Sequence, residues 1–386
     1  MNQKNEKCPV SEYCGGCQLQ GFSYAEQLER KQEKEKKLLH PFGEIRPILG
    51  MDDPCHYRNK VQVSFASDEN HKMIYGNYVP STHTIVPVGD CLICDEKANA
   101  IIHTIAFLIR KYRISVFDER TMKGCIRHVL IRSTNTGEYM AVIVTGTENI
   151  KGKEDLLRDL IKAHPEIRSV IQNINRRFTS MILGDRNITL YGKAYVREIL
   201  CGLVYRISPS SFFQVNKRQT EILYNETLKA ADLHKSEVLL DAYCGTGTIG
   251  LCASRQVKHV IGVELNRDAI RDAITNARQN EIRNAEFVCA DAGKYMQKLA
   301  SAKVHVDTVI MDPPRTGSGR KFLSNLIQLK PDKVVYVSCN PSTLKEDLSF
   351  LTRSYQVRYI QPVDMFPFTE HIESIVLLCR KTGDAA

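Results

Sequence analysis

The sequence predicts an α/β fold for its second half, an open and mostly parallel sheet covered on both faces, behind an α+β region and a short cysteine-rich start. Three observations lead there. After about residue 200, short apolar runs alternate with helical stretches: EVLLDAYCG, HVIGVEL, AEFVCAD, VDTVIMD and KVVYVSC. Between about 46 and 200 the pattern alternates residue by residue in YRNKVQVSF, MIYGNYV, IRHVLIRS and YMAVIVTG, interrupted by the helical runs DEKANAIIHTIAFLIRKYR and KEDLLRDLIKAH. Residues 1–24 hold three closely spaced cysteines. A chain of 386 residues exceeds the usual single-domain size, so the expected divisions are 1–45, 46–200 and 201–386.

Taken in order, the first long helix is AEQLERKQEKEKKLLH, residues 25–40, whose run of charges predicts a solvated face. The formal net charge of +9 favours a polyanionic partner, because Lys and Arg release counterions from phosphates. No apolar run is long enough to span a bilayer and MNQKNEK is no signal peptide, so the expectation is a soluble, cytoplasmic, monomeric protein without a membrane partner. The 13 cysteines are an odd number scattered through strand-like and helical runs, unlike a secreted disulfide framework. Each is therefore core filler, metal ligand or nucleophile.

In the second half the polar motifs fall at the carboxyl ends of the expected strands, where open α/β sheets bind ligands. DAYCGTGTIG contains Gly245, Gly247 and Gly250 in a Gly-x-Gly-x-x-Gly spacing, which permits a tight turn and close backbone approach of a ligand. Glu264 ends the next strand, where an acid accepts hydrogen bonds from ribose hydroxyls, and Asp291 ends the third, near an adenine amino group. A dinucleotide and S-adenosylmethionine fit this equally. MDPPR decides for the methyl donor, placing Asp312 at its reactive end. Asp-Pro-Pro resembles the tetrapeptide of amino-group methyltransferases, with Arg315 in the aromatic's place, which leaves a carbon target. A proline-stiffened turn is the plainer alternative.

Uracil C5 is a poor nucleophile, so its methylation needs a thiolate that adds to C6 and a base that later removes the C5 proton. Cys339, in YVSCNPSTL, follows the fifth strand and precedes a helix whose dipole would favour a thiolate. A buried core thiol is the ordinary reading of one cysteine, and the strand-end position argues against it. Glu373 is the candidate base, at the start of a final apolar run expected to be an edge strand, with Glu370 and His371 as rivals.

SPSSFFQVN, DAYCGTGTIGL, GVEL, MDPPRTG, VSCNPSTL and DMFPFTEHIES together resemble, in order and over nearly the whole chain, the bacterial iron–sulfur RNA uracil-5-methyltransferases of 23S ribosomal RNA. The resemblance implies a Rossmann-like S-adenosylmethionine-dependent domain, Cys339 as nucleophile, Glu373 as base, and donor contacts from Gln214, Tyr243, Glu264 and Asp312. It also implies a [4Fe-4S] site on Cys8, Cys14, Cys17 and Cys91, with Cys94 the rival fourth ligand. Without the resemblance four cysteines could hold structural zinc. Many relatives carry a small β-barrel RNA-binding domain ahead of the cysteines, which this chain is expected to lack. RNA contacts would then fall to the central region, with Arg58, Lys60, Arg127 and Arg132 as candidates. The competing readings are a transfer-RNA T-loop methyltransferase, a non-catalytic RNA-binding or redox-sensing protein, and a nicotinamide enzyme that leaves DPPR and SCNP unexplained.

Overall fold

Alternation of apolar residues builds two seven-stranded sheets, and what covers each face of them decides the architecture. The computed structural model describes residues 8–80, 82, 84–179 and 181–381. A single helical turn, α1 (Ser11–Cys14), and the long helix α2 (Tyr24–Leu39) come first. The first sheet comprises β1 (Lys60–Ser67), β2 (Met73–Tyr78), β3 (Ile85–Pro87), β4 (Ile126–Ser133), β5 (Tyr139–Thr145), β6 (Ile167–Ile174) and β7 (Arg186–Gly192), in the order β3-β2-β1-β4-β5-β6-β7. Helices α3 (Glu96–Lys111) and α4 (Lys153–Ala163) join its strands in one core through Val129, Ile131, Ala141 and Ile143. The alternate residues Leu130, Met140, Val142 and Val144 belong to a different core, shared with the second half of the chain. Strands β4 and β5 are therefore buried along their whole length.

Burial corrects the expectation for Arg127 and Arg132. Both are buried, and their guanidinium groups satisfy backbone carbonyls rather than a polyanion. Arg127 donates to the carbonyls of Asn175 (2.9 Å) and Arg177 (2.8 Å), and Arg132 to those of Pro209 (3.3 Å) and Ser211 (2.5 Å).

A hairpin, β8 (Val196–Leu200) and β9 (Leu203–Ile207), links the sheets. The second sheet contains β10 (Val238–Ala242), β11 (His259–Glu264), β12 (Ala285–Cys289), β13 (Thr308–Met311), β14 (Lys333–Ser338), β15 (Tyr355–Val363) and β16 (Glu373–Arg380), ordered β12-β11-β10-β13-β14-β16-β15. Its first five strands are parallel, as their apolar character predicts. Helices α5 (Lys217–Ala231), α6 (Thr248–Ala253) and α7 (Arg267–Gln279) share one core with Leu239, Val335 and Val337. Helices α8 (Ala292–Ser301), α9 (Gly319–Leu329) and α10 (Pro341–Leu351) share the other with Leu240, Val334 and Tyr336. Strand order reverses between β10 and β13, which opens a crevice beyond their carboxyl ends.

Two further expectations change. Strand β16 is not at the edge: it runs antiparallel between β14 and β15, which pair its backbone on both sides, while Ile375 is buried in one core and Val376 and Leu378 in the other. Helix α2 is not simply solvated, because Gln27, Lys31, Glu35 and Leu39 form a buried stripe. Among the described residues no helix is long and apolar enough to cross a membrane.

Candidate active site

The crevice at the strand-order reversal is a cavity of about 1200 Å³ lined by Gln214, Tyr243, Gly245, Glu264, Asp291, Asp312, Cys339 and Glu373. Sequence positions from 243 to 339 meet there because parallel strands place their carboxyl ends side by side, and the antiparallel β16 brings Glu373 to the same end by its start. The turn after β10 is built on Gly245 (φ 54°) and Gly247 (φ 78°), both in the left-handed region that favours glycine, and Tyr243 joins them at φ 64°. A Cβ on Gly247 would lie 2.8 Å from the Phe287 ring, whereas one on Gly245 would meet open space. Glu264 faces this turn, accepting from the Gly245 N–H (3.3 Å) and, through its other oxygen, from the Asn266 N–H (2.8 Å). Asp291 uses one oxygen to cap α8 at Lys294 N–H (2.8 Å). Such carboxylates beside a glycine turn suit the hydroxyls of a nucleoside.

Beside the glycine turn, on neighbouring strands, the turn after β13 is tied to the turn after β14. Asn340, which caps α10, donates to the Arg315 carbonyl (3.1 Å), as does the Thr343 hydroxyl (3.3 Å). Cys339, Arg315 and Asp312 are thereby held together beside Glu373. Burial, followed by the charges of Glu373 and Asp312, pushes the Cys339 thiol up to about 11, with Arg315 opposing. The expected stabilisation of a thiolate by the helix dipole is thus outweighed in the free protein. Burial also pushes Asp312 up to about 7 and Glu373 well above the carboxylate range, and Arg315 again opposes the shift of Glu373. Arg315 is the residue that sequence reasoning undervalued: its place in MDPPR marked a missing aromatic, not a cation facing both Cys339 and Glu373.

His371 lines the same cavity, whereas Glu370 is exposed and outside it. Phe212 stands 72% exposed among the lining residues, an aromatic face open to solvent. Arg58 lines this cavity and also a second one of about 380 Å³. Cys8, Cys14, Cys17, Cys91 and Cys94 line the second cavity with Lys60 and Asn77. The Nε of Arg58 is buried without a hydrogen-bond partner.

Comparison with known proteins places this geometry. A family model described as tRNA (uracil-5-)-methyltransferase matches residues 23–381. An uncharacterized RNA methyltransferase of Halalkalibacterium halodurans is 42% identical over 378 residues, 96% of this chain and 82% of the relative. One from Clostridium tetani is 40% identical over 383 residues, 98% of this chain and 83% of the relative. Among solved structures, the Pyrococcus abyssi tRNA (uracil-54, C5)-methyltransferase in complex with S-adenosyl-L-homocysteine matches at TM-score 0.78 and 29% identity, covering 94% of this chain and 85% of that one.

Proposed function

This chain belongs to the tRNA (uracil-5-)-methyltransferase family, and we propose that it methylates uridine C5 in 23S ribosomal RNA through a covalent bond between Cys339 and C6. It is an S-adenosylmethionine-dependent RNA methyltransferase. The observation that carries the proposal is the convergence of Cys339, Glu373, Asp312 and Arg315 with the nucleoside-type lining in one cavity.

In this reading Gly245, Tyr243, Glu264, Asp291 and Gln214 hold the methyl donor, with its sulfonium toward Asp312. The sulfonium charge works in the same direction as Arg315, lowering the proton affinity of Cys339 and Glu373. The Cys339 thiol gives up its proton to solvent and the thiolate adds to C6, and the electron pair released to C5 would take the methyl group that the bound donor supplies, with S-adenosylhomocysteine as the other product. The Glu373 carboxylate then takes the C5 proton, and the electron pair of the broken C–H bond re-forms the C5–C6 double bond as the C6–S bond breaks and Cys339 leaves as the thiolate. The uridine has to be unstacked for both ring faces to be reached. Phe212 offers a face on which a base can stack.

A second reading, methylation of the transfer-RNA T loop, is favoured by the likeness to the Pyrococcus abyssi enzyme. Mapping 5-methyluridine in ribosomal and transfer RNA of a deletion strain separates the two: loss from 23S RNA alone supports the first, loss from transfer RNA alone the second. RNA carrying 5-fluorouridine should trap a stable adduct on Cys339, because the C5 fluorine cannot leave as a proton. Absence of that adduct would refute the covalent route.

For the second cavity the proposed occupant is a [4Fe-4S] cluster on Cys8, Cys14, Cys17 and Cys91. Four thiolates on one zinc would sit about 3.8 Å apart, given Zn–S bonds of about 2.3 Å. Iron and zinc content of the purified protein separates the two occupants. Arg58 and Lys60 supply positive charge beside them, and the unpartnered Arg58 Nε suits an anionic cluster. The cluster would tie the N-terminal segment to the first sheet. Anaerobic protein should contain about four irons per chain. Serine at Cys8, Cys14, Cys17 or Cys91 should lose the iron, and Cys94→Ser should keep it.

A further inference from the structure

Helix α2 turns a polar stripe inward, and the stripe reaches the segment that carries Glu373. Positions 24, 27, 31 and 35 follow one another at helical spacing and share one face. The Tyr24 hydroxyl donates to Asp364 Oδ2 (2.9 Å), and Gln27 Oε1 accepts from the Phe368 N–H (2.8 Å). Lys31 Nζ donates to Asp364 Oδ1 (2.6 Å) and to the Phe366 carbonyl (3.0 Å). Glu35 Oε1 accepts from the Ser374 hydroxyl (2.9 Å). Gln27, Lys31 and Glu35 are 0%, 2% and 0% exposed.

A helix that only covered a sheet would present leucines there, as α9 and α10 do with Leu323, Leu326, Leu344 and Leu348. Burying an ammonium and a carboxyl instead costs free energy even when each is paired, so a polar stripe calls for a reason. The segment it holds supplies one. Residues 364–372 form neither helix nor strand, and Phe368 sits at φ 66°, a conformation that a bulky residue keeps only where its surroundings impose it. Glu373 follows at once, as the first residue of β16.

We propose that the inward stripe of α2, with Lys31 at its centre, is a positioning device for the catalytic base, fixing residues 364–372 so that the Glu373 carboxylate meets the C5 hydrogen. This rests on the role proposed above for Glu373. Tyr24, Gln27, Lys31 and Glu35 do not line the cavity, and their hydrogen bonds reach it through the segment. Loss of the stripe should slow removal of the C5 proton while leaving donor binding and attack by Cys339 in place.

The test uses the full-length enzyme and single-turnover kinetics on ordinary RNA. The double variant Lys31→Met/Asp364→Asn removes both buried charges together, so neither is left unpaired. It should bind S-adenosylmethionine with unchanged affinity and form the RNA adduct, then resolve it about 100-fold more slowly, so that adduct accumulates. Gln27→Leu, which changes no charge and removes the acceptor of the Phe368 N–H, should slow the same step and serves if the double variant does not fold. Glu373→Gln is the reference. Adduct accumulating in Glu373→Gln but in neither stripe variant would overturn the positioning role alone. So would parallel loss of donor binding and adduct formation, the mark of a merely structural helix. No adduct in Glu373→Gln would overturn the assignment of the base, and the stripe's role with it.

Discussion

Cys339 rests as a thiol, because burial and two carboxyl groups hold its proton against the single opposing cation, Arg315. Alkylation by iodoacetamide, followed on the peptide carrying Cys339, should therefore quicken about tenfold per pH unit between about pH 7 and 9, since only the thiolate reacts. A rate that levels off near neutrality would show a thiolate already formed. Replacing Arg315 by Gln removes the opposing charge and should slow both alkylation and methyl transfer about tenfold at pH 8. Cys339→Ala should abolish methyl transfer and leave S-adenosylmethionine affinity, measured by calorimetry, within about twofold, because the sulfur is proposed to bond the uridine and not the donor.

At the scale of the element, the glycine turn separates stability from binding. Gly247→Ala drives a Cβ into the Phe287 ring at a left-handed backbone position, and should destabilise the fold by about 1–3 kcal/mol in denaturant titration. Gly245→Ala meets no protein atom, so it should cost only about 1 kcal/mol of stability. Its added methyl group points into open space at the cavity turn, so its main effect should be on donor affinity. Equal loss of affinity in both variants would contradict this division. For α2, Lys31→Met alone should cost about 3–5 kcal/mol, because it strands Asp364 as a buried charge, whereas the double variant with Asp364→Asn should recover much of that loss.

At the scale of the whole molecule, several carboxyl groups are buried without a cation close enough to hold them ionised. Burial pushes Glu35, Glu198, Asp241 and Asp312 each up to about 7. Such groups keep their protons in the folded chain at a pH where the unfolded chain has released them, around 4.5 for Glu and 3.8 for Asp. The stability they contribute is therefore complete below those values and is lost as the pH rises through about 7. The thermal midpoint should accordingly fall between about pH 5 and about pH 8. Glu198 lies away from the active cavity, accepting from the Asn135 and Ile199 N–H groups while its second oxygen has no partner. Glu198→Gln should flatten that decline by on the order of 3 kcal/mol, and a variant that parallels the wild type would show Glu198 ionised in the fold.

What the sequence by itself determined is whatever depends on neighbours along the chain. The five parallel strands are legible because strands covered on both faces must be apolar throughout, and the ligand-side motifs because they fall where those strands end. Cys339, Asp312 and the glycine turn could be named for that reason. Which face of an element is covered depends on residues distant in sequence, and there the reading failed. Arg127 and Arg132 look like RNA contacts until residues 175–177 close over the first and residues 209–211 over the second, and the charges of α2 look solvated until the 364–374 segment docks against it. The final apolar strand could not be placed inside the sheet without knowing that β15 folds outside it. Only the tertiary structure decided that Arg315 faces both Cys339 and Glu373, because a charge acts through space and no spacing along the chain records its distance to a strand folded from residues some sixty positions away.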